Sequence, residues 1–152
     1  MDNYIKGRGA QIRTSNRFLK NSYVSDHVEG LDEPMEIDSR TQIFYETAKK
    51  VVNKVTSPDV GMMYSLNPYQ GCEHGCVYCY ARNTHEYWGL SAGIDFETKI
   101  IVKKNAAELL EQHILHPSWH AVPISLSGNT DCYQPGERRL GSTRSLLEVF
   151  AK

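Results

Sequence analysis

From Met62 onward, apolar and polar positions fall into short blocks, each closed by a turn residue. Met62-Met63-Tyr64-Ser65-Leu66 predicts a strand stopped by Asn67-Pro68. Tyr80 to Trp88 predicts a short helix ended by Gly89. Lys99-Ile100-Ile101-Val102-Lys103 is β-rich. Asn105 then opens a helix, with Glu108 three residues later in the outline of a capping box and Ala106, Leu109, Leu110 and Ile114 as its apolar stripe. Pro117 ends that helix. Val122 to Leu126 predicts a buried strand, and Ser142 to Phe150 a further helix with Leu146, Leu147, Val149 and Phe150 apolar. Between Thr41 and Val55 two periods fit. Phe44, Ala48, Val51, Val52 and Val55 recur at helical spacing, whereas Ile43, Tyr45 and Thr47, then Val51, Asn53 and Val55, alternate as in strands. The order strand, loop, helix, strand, helix predicts an α/β fold of parallel βα units.

The chain has 152 residues, enough for one domain with a core but hardly two. A net charge of −1 gives no global reason to expect nucleic acid or an anionic membrane as partner. The apolar runs are too short to span a bilayer, and the N-terminus lacks the apolar stretch of a secretory signal. Four cysteines without export features predict reduced thiols and a cytoplasmic location. Charge is unevenly placed. The first 20 residues carry Lys6, Arg8, Arg13, Arg17 and Lys20 against the single acid Asp2, and residues 21–39 carry six acids with no Lys or Arg. Polarity without periodicity reads as a flexible basic-then-acidic arm over 1–40, followed by a connecting segment over 41–60 and the core over 61–152.

Chemistry concentrates in Gly71-Cys72-Glu73-His74-Gly75-Cys76-Val77-Tyr78-Cys79-Tyr80. Three cysteines spaced C-x3-C-x2-C, with no fourth in the loop, can each hold one iron of a cubane and leave the last iron open to a ligand. The rival is a zinc module using Cys72, His74, Cys76 and Cys79 as a Cys3His set without catalysis. Structural zinc usually draws two ligand pairs from separate turns, whereas here one tight loop would wrap all four corners. The loop also follows a predicted strand, where α/β proteins place their ligands.

Cys72-x3-Cys76-x-Tyr78-Cys79, set in Tyr64-Ser65-Leu66-Asn67-Pro68-Tyr69-Gln70-Gly71 and followed by Tyr80-Ala81-Arg82, resembles the signature of radical S-adenosylmethionine (radical SAM) enzymes. It is most similar to the branch grouped with spore photoproduct lyase. Lys6-Gly7-Arg8-Gly9-Ala10, Asp95-Phe96-Glu97-Thr98-Lys99 and Thr130-Asp131-Cys132-Tyr133-Gln134-Pro135 extend the likeness over nearly the whole chain. The resemblance implies a [4Fe-4S] cluster on Cys72, Cys76 and Cys79, with S-adenosyl-L-methionine bound beside Tyr78 and by Asn129, Thr130 and Asp131. It implies lyase-like radical chemistry, an electron donor such as flavodoxin or ferredoxin, and nucleic acid as one candidate substrate. It also implies a partial parallel (βα) barrel with an irregular N-terminal extension. The chain ends inside a helix after two or three βα units, so 61–152 reads as the first half of a truncated core, its C-terminal half missing or supplied by another chain.

The remaining polar residues carry weaker signals. Cys132 is a candidate hydrogen donor to a product radical, and a packed thiol is the alternative. Spore photoproduct lyase has its donor cysteine where this chain has Gly128, and proline where it has Cys132, and both departures count against photoproduct repair. His85, His113, His116 and His120 follow no metal-ligand pattern and read as surface or satisfied histidines. Arg138 and Arg139 can reach a phosphate or carboxylate or form a solvated helix entrance, Glu137 reads as an orienting group, and Trp88 and Trp119 as packing residues.

Overall fold

The computed structural model describes residues 4–20 and 40–152. The acidic run from Asp26 to Asp38 lies outside the described residues. Two three-stranded mixed sheets carry the fold. In the first, β5 (Lys99–Lys103) is central, with β1 (Gln42–Glu46) parallel on one side and β4 (Tyr69–Gln70) antiparallel on the other. Ile100, Ile101 and Val102 are all buried, which suits a central strand covered on both faces. In the second, β3 (Tyr64–Leu66) is central, antiparallel to β2 (Val52–Lys54) and parallel to β6 (Ile124–Leu126).

The ambiguous stretch 41–55 is thus extended, and the segment read as a connector supplies one strand to each sheet. Ile43 packs on the Tyr69, Ile100 and Val102 core, and Val51 and Val52 enter the larger core with Leu66. That larger core also takes Ala106 and Leu110 from α2 (Ala106–Ile114) and Leu146 and Val149 from α4 (Ser142–Phe150). Leu147 and Phe150 turn outward, each 43% exposed. Each fully buried Leu contributes roughly 1.5–3 kcal/mol, so Leu66, Leu110 and Leu146 fix the two helices to the β2-β3-β6 sheet.

Three local expectations change. Tyr80–Trp88 is helical and stops at Gly89 in the left-handed conformation, but it winds as a 3₁₀ helix. Asn105 precedes α2 without capping it. Its side chain instead accepts from the Ala48 N–H at 2.9 Å and donates to the Ala48 carbonyl at 2.8 Å, tying the β1–β2 loop to the helix.

The basic N-terminal stretch is the third. Residues 4–20, half of the segment read as a flexible arm, form a strap with a defined course. Arg8 donates to the Glu97 carbonyl (2.8 Å) and the Thr41 hydroxyl (3.0 Å), and Gly9 N and Ala10 N donate to the Glu97 carboxylate at 2.9 and 2.8 Å. Ile94 N donates to the Ile12 carbonyl, Arg13 pairs with Asp95, and Arg17 pairs with Glu86 at 2.6 Å. Glu86, Asp95 and Glu97 are buried; Arg17 and Arg13 of the strap neutralise the first two, and its Gly9 and Ala10 N–H groups satisfy Glu97, whose counter-charge is Arg82. Asp95 and Glu97 belong to a short helix, α1 (Ile94–Thr98), which leads into β5.

Candidate functional site

β3 and β6 run parallel and end side by side; β6 runs into one loop, while β3 passes through Asn67-Pro68 into β4, which a second loop follows. That second loop carries the cysteines. Its entry is Gly71, at φ +83°, where a Cβ would sit 3.0 Å from the carbonyl oxygens of Lys99 and Phe96. No side chain fits there, and the Cys72 N–H donates to that Phe96 oxygen at 2.9 Å. Gly75, at φ +66°, makes the second reversal against Gly9 and the Glu97 carboxylate. Arg82 then braces the loop from below. It donates through Nε and Nη2 to the Cys76 carbonyl at 3.1 and 2.9 Å and pairs with Glu97 at 2.5 Å. Glu97 is fully buried and so holds the strap, α1 and the cysteine loop together.

The facing loop follows β6. Ser127 adopts φ +79°, unusual for a non-glycine residue, and its hydroxyl donates to the Thr130 carbonyl and accepts from Cys132 N. Asn129 N donates to the Asn67 side chain at 2.8 Å, and Thr130 Oγ1 to the Tyr69 carbonyl at 3.2 Å. Gln134, 1% exposed, reaches across to accept from Glu73 N (3.1 Å) and approach the Gly71 carbonyl (3.5 Å). A buried amide therefore clamps both sides of Cys72. Glu137 accepts from the Tyr69 hydroxyl and from Thr143 N and Arg144 N, so it caps α4 rather than facing the cysteines.

Between these loops lies a cleft of about 570 Å³. Cys72, His74, Cys76 and Cys79 form one wall and Ser127 to Asp131 the other, with Tyr80 closing one side by donating to the Gly128 carbonyl. The residues that the resemblance assigns to a cluster and, about fifty positions on, to S-adenosylmethionine thus line one cavity. Tyr78 lies outside its walls, 85% exposed. Cys132 is buried, does not line the cleft, and packs where burial pushes its thiol upward from the ordinary range. Burial likewise raises the Cys72 thiol, against a lowering by backbone groups of His74 and Asp131. His74 Nε2 lies 3.3 Å from Asp131 Oδ2 across the mouth.

All four cysteines are free thiols. Among the described residues, no three His, Cys, Asp or Glu side chains converge on a point that one metal ion could occupy. A mononuclear zinc site needs such convergence at about 2.0–2.3 Å from each donor. A cubane takes each thiolate on a different iron, and Cys72, Cys76 and Cys79 all line the cleft.

Sequence reasoning missed four residues that shape the site: Glu97, Arg82, Ser127 and Gln134. The signal for Glu97 was present, since Asp95 and Glu97 alternate with the apolar Ile94 and Phe96. His85, read as surface or satisfied, is fully buried against Phe96, with neither ring nitrogen in a hydrogen bond. Burial lowers its pKa to about 4. Trp119 packs as expected, against Tyr64 and His113. No helix among the described residues is long and apolar enough to cross a membrane.

Comparison with known proteins finds similar chains of unassigned role. Uncharacterized proteins of Mycobacterium tuberculosis and Mycobacterium bovis are 42% identical over 110 residues, covering 71% of this chain and 32% of theirs. An uncharacterized protein of Methanocaldococcus jannaschii is 30% identical over 117 residues, covering 76% of this chain and 41% of its own. The chain therefore spans about a third of the length of the mycobacterial relatives. No protein-family profile and no solved structure matches it.

Proposed function

We propose that this chain is the cluster-bearing part of a radical SAM enzyme, with Cys72, Cys76 and Cys79 holding a [4Fe-4S] cluster and the cleft receiving S-adenosyl-L-methionine. When bound, the pair supplies one-electron reductive cleavage of the sulfonium to methionine and a 5′-deoxyadenosyl radical. One observation carries the reading: the three thiols, on the loop after β4, and the Ser127–Asp131 turn, after β6, form opposite walls of one cleft.

The chain's own residues bind, orient and shield. Gly71 and Gly75 give the loop its reversals, and Gln134 and Arg82 fix the backbone on either side of the cysteines. Asn129, Thr130 and Asp131 offer polar groups to the methionine end of the ligand, opposite the thiols. The exposed Tyr78 is available to the adenine through backbone contacts at the rim. Cys132 stays a packed thiol in this reading and does not serve as hydrogen donor to a product radical. The reading calls for an electron donor such as a flavodoxin or ferredoxin, and the greater length of the mycobacterial relatives leaves room for the further βα repeats of a full barrel.

Anaerobic reconstitution with iron and sulfide, followed by metal analysis and an assay for 5′-deoxyadenosine after reduction, tests the proposal. A brown, oxygen-sensitive protein that cleaves S-adenosylmethionine supports it. A colourless protein holding one zinc per chain, with no cleavage, overturns it in favour of the Cys3His module.

A further inference from the structure

A second pocket, of about 300 Å³, lies at the other end of β5. Lys99 begins that strand beside the cysteine loop, and four residues of extended chain, roughly 13 Å, separate it from Lys103. Lys103 and Lys104 line the pocket from the end of β5, Arg139 from α3 (Glu137–Leu140) and Ser142 and Ser145 from α4, the Ser145 hydroxyl donating to the Gly141 carbonyl at 2.9 Å. Among the described residues, no Asp or Glu lines its walls. Glu46, the strand partner of Lys103, offsets one of the three cations from outside them. Lys103 is further held by the Asn67 carbonyl at 2.9 Å, and Lys104 sits 5.0 Å over the Tyr45 ring, so two of the three cations have set positions. Arg139 is exposed. Ala106 and Ala107, the first residues of α2, complete the wall, and the Asn105 side chain that would cap their N–H groups is committed to Ala48.

We propose that this pocket binds the phosphate group of a small phosphorylated metabolite. Three cations, one of them an arginine fork, with backbone donors around a cavity of this size match a phosphate's several acceptor oxygens. The volume admits a small ligand, and the wall is too short to track a nucleic-acid backbone. The site shares no residue with the cysteine cleft and does not depend on a cluster being present.

Titration of the full chain with methyl phosphate, at constant ionic strength set with sodium chloride and followed by amide chemical shifts, tests this. The expected result is saturable shifts concentrated on Ala106, Ala107, Ser142 and Ser145. Affinity falls about tenfold or more in the Lys104→Gln/Arg139→Gln double variant and is unchanged in Lys54→Gln. Both replaced side chains are exposed, so the rest of the spectrum reports retained folding. Non-saturating shifts, shifts scattered over the surface, or equal affinity in the double variant overturn the proposal. So does binding of a single-stranded oligonucleotide at these residues without a saturable response to methyl phosphate.

Discussion

Replacing Glu97 by Gln keeps its shape and removes its charge. The carboxylate accepts from Gly9 N through Oε2, and from Ala10 N and Arg82 Nη2 through Oε1, at 2.5–2.9 Å. An amide has one acceptor oxygen, so in either orientation its NH2 group meets a donor. Arg82, only 12% exposed, loses its counter-charge. Removing one partner of a buried pair costs about 3–5 kcal/mol. Arg82 still donates to the carbonyls of Cys76 and Gly93, which places the loss near the lower end, about 3 kcal/mol. That loss comes out of a total stability of about 5–15 kcal/mol and lowers the melting temperature by roughly 6–12 °C in a chain of this size. Glu148→Gln is the matched control. Its pair with Arg144 is exposed on both sides (66% and 84%), and its loss costs less than about 0.5 kcal/mol. Thermal and urea unfolding, with limited proteolysis of residues 4–20 as a local readout, measure both. Equal effects from the two substitutions, or a strap no more open to protease in Glu97→Gln, would refute the account of Glu97 as the tie between strap and cysteine loop.

Three other outcomes are expected. Gly71→Ala forces a Cβ to 3.0 Å from two backbone oxygens at positive φ, costing about 1–3 kcal/mol, and lowers the iron retained after reconstitution. Serine at Cys72, Cys76 or Cys79 abolishes iron binding, whereas Cys132→Ser leaves iron content unchanged; equal loss from all four would remove the distinction drawn between cleft and packed thiols. His85 holds its proton less tightly in the folded protein (pKa about 4) than in the unfolded chain (6.5), so unfolding takes up a proton between those values. Stability is fully present above pH 6.5 and falls by up to about 3 kcal/mol as pH drops through 4. Denaturation curves of His85→Gln lack that component, and parallel pH profiles for the two proteins contradict it.

Periodicity was informative where one packing surface dominates. The apolar run of β5, the stripe of α2 and the helix of α4 are read directly from it, because each buries a continuous face. Residues 41–55 satisfied both periods, and only pairing of Gln42–Glu46 with β5, about 57 positions away, selects the strand. β4 has two residues and no period to read. The strap was misjudged for a related reason. Arg8, Arg13 and Arg17 look solvated until their partners, 69 to 89 positions on, prove to be the Glu97 carbonyl and the buried carboxylates of Asp95 and Glu86. At the site, the cysteines stand out by their spacing, whereas the Asn129–Asp131 turn, which lines the same cleft, was singled out only through the resemblance. Ser127 and Gln134 were not, because their roles rest on backbone geometry that forms only when two loops face each other.

The central claim is a cluster with one iron left open inside the cleft. Electron paramagnetic resonance of the anaerobically reconstituted, reduced full chain, recorded with and without S-adenosylmethionine, addresses that corner directly. The account predicts a cubane signal that changes when the ligand is added and does not form in Cys76→Ser. A protein without such a signal, or one whose signal is indifferent to S-adenosylmethionine, contradicts it.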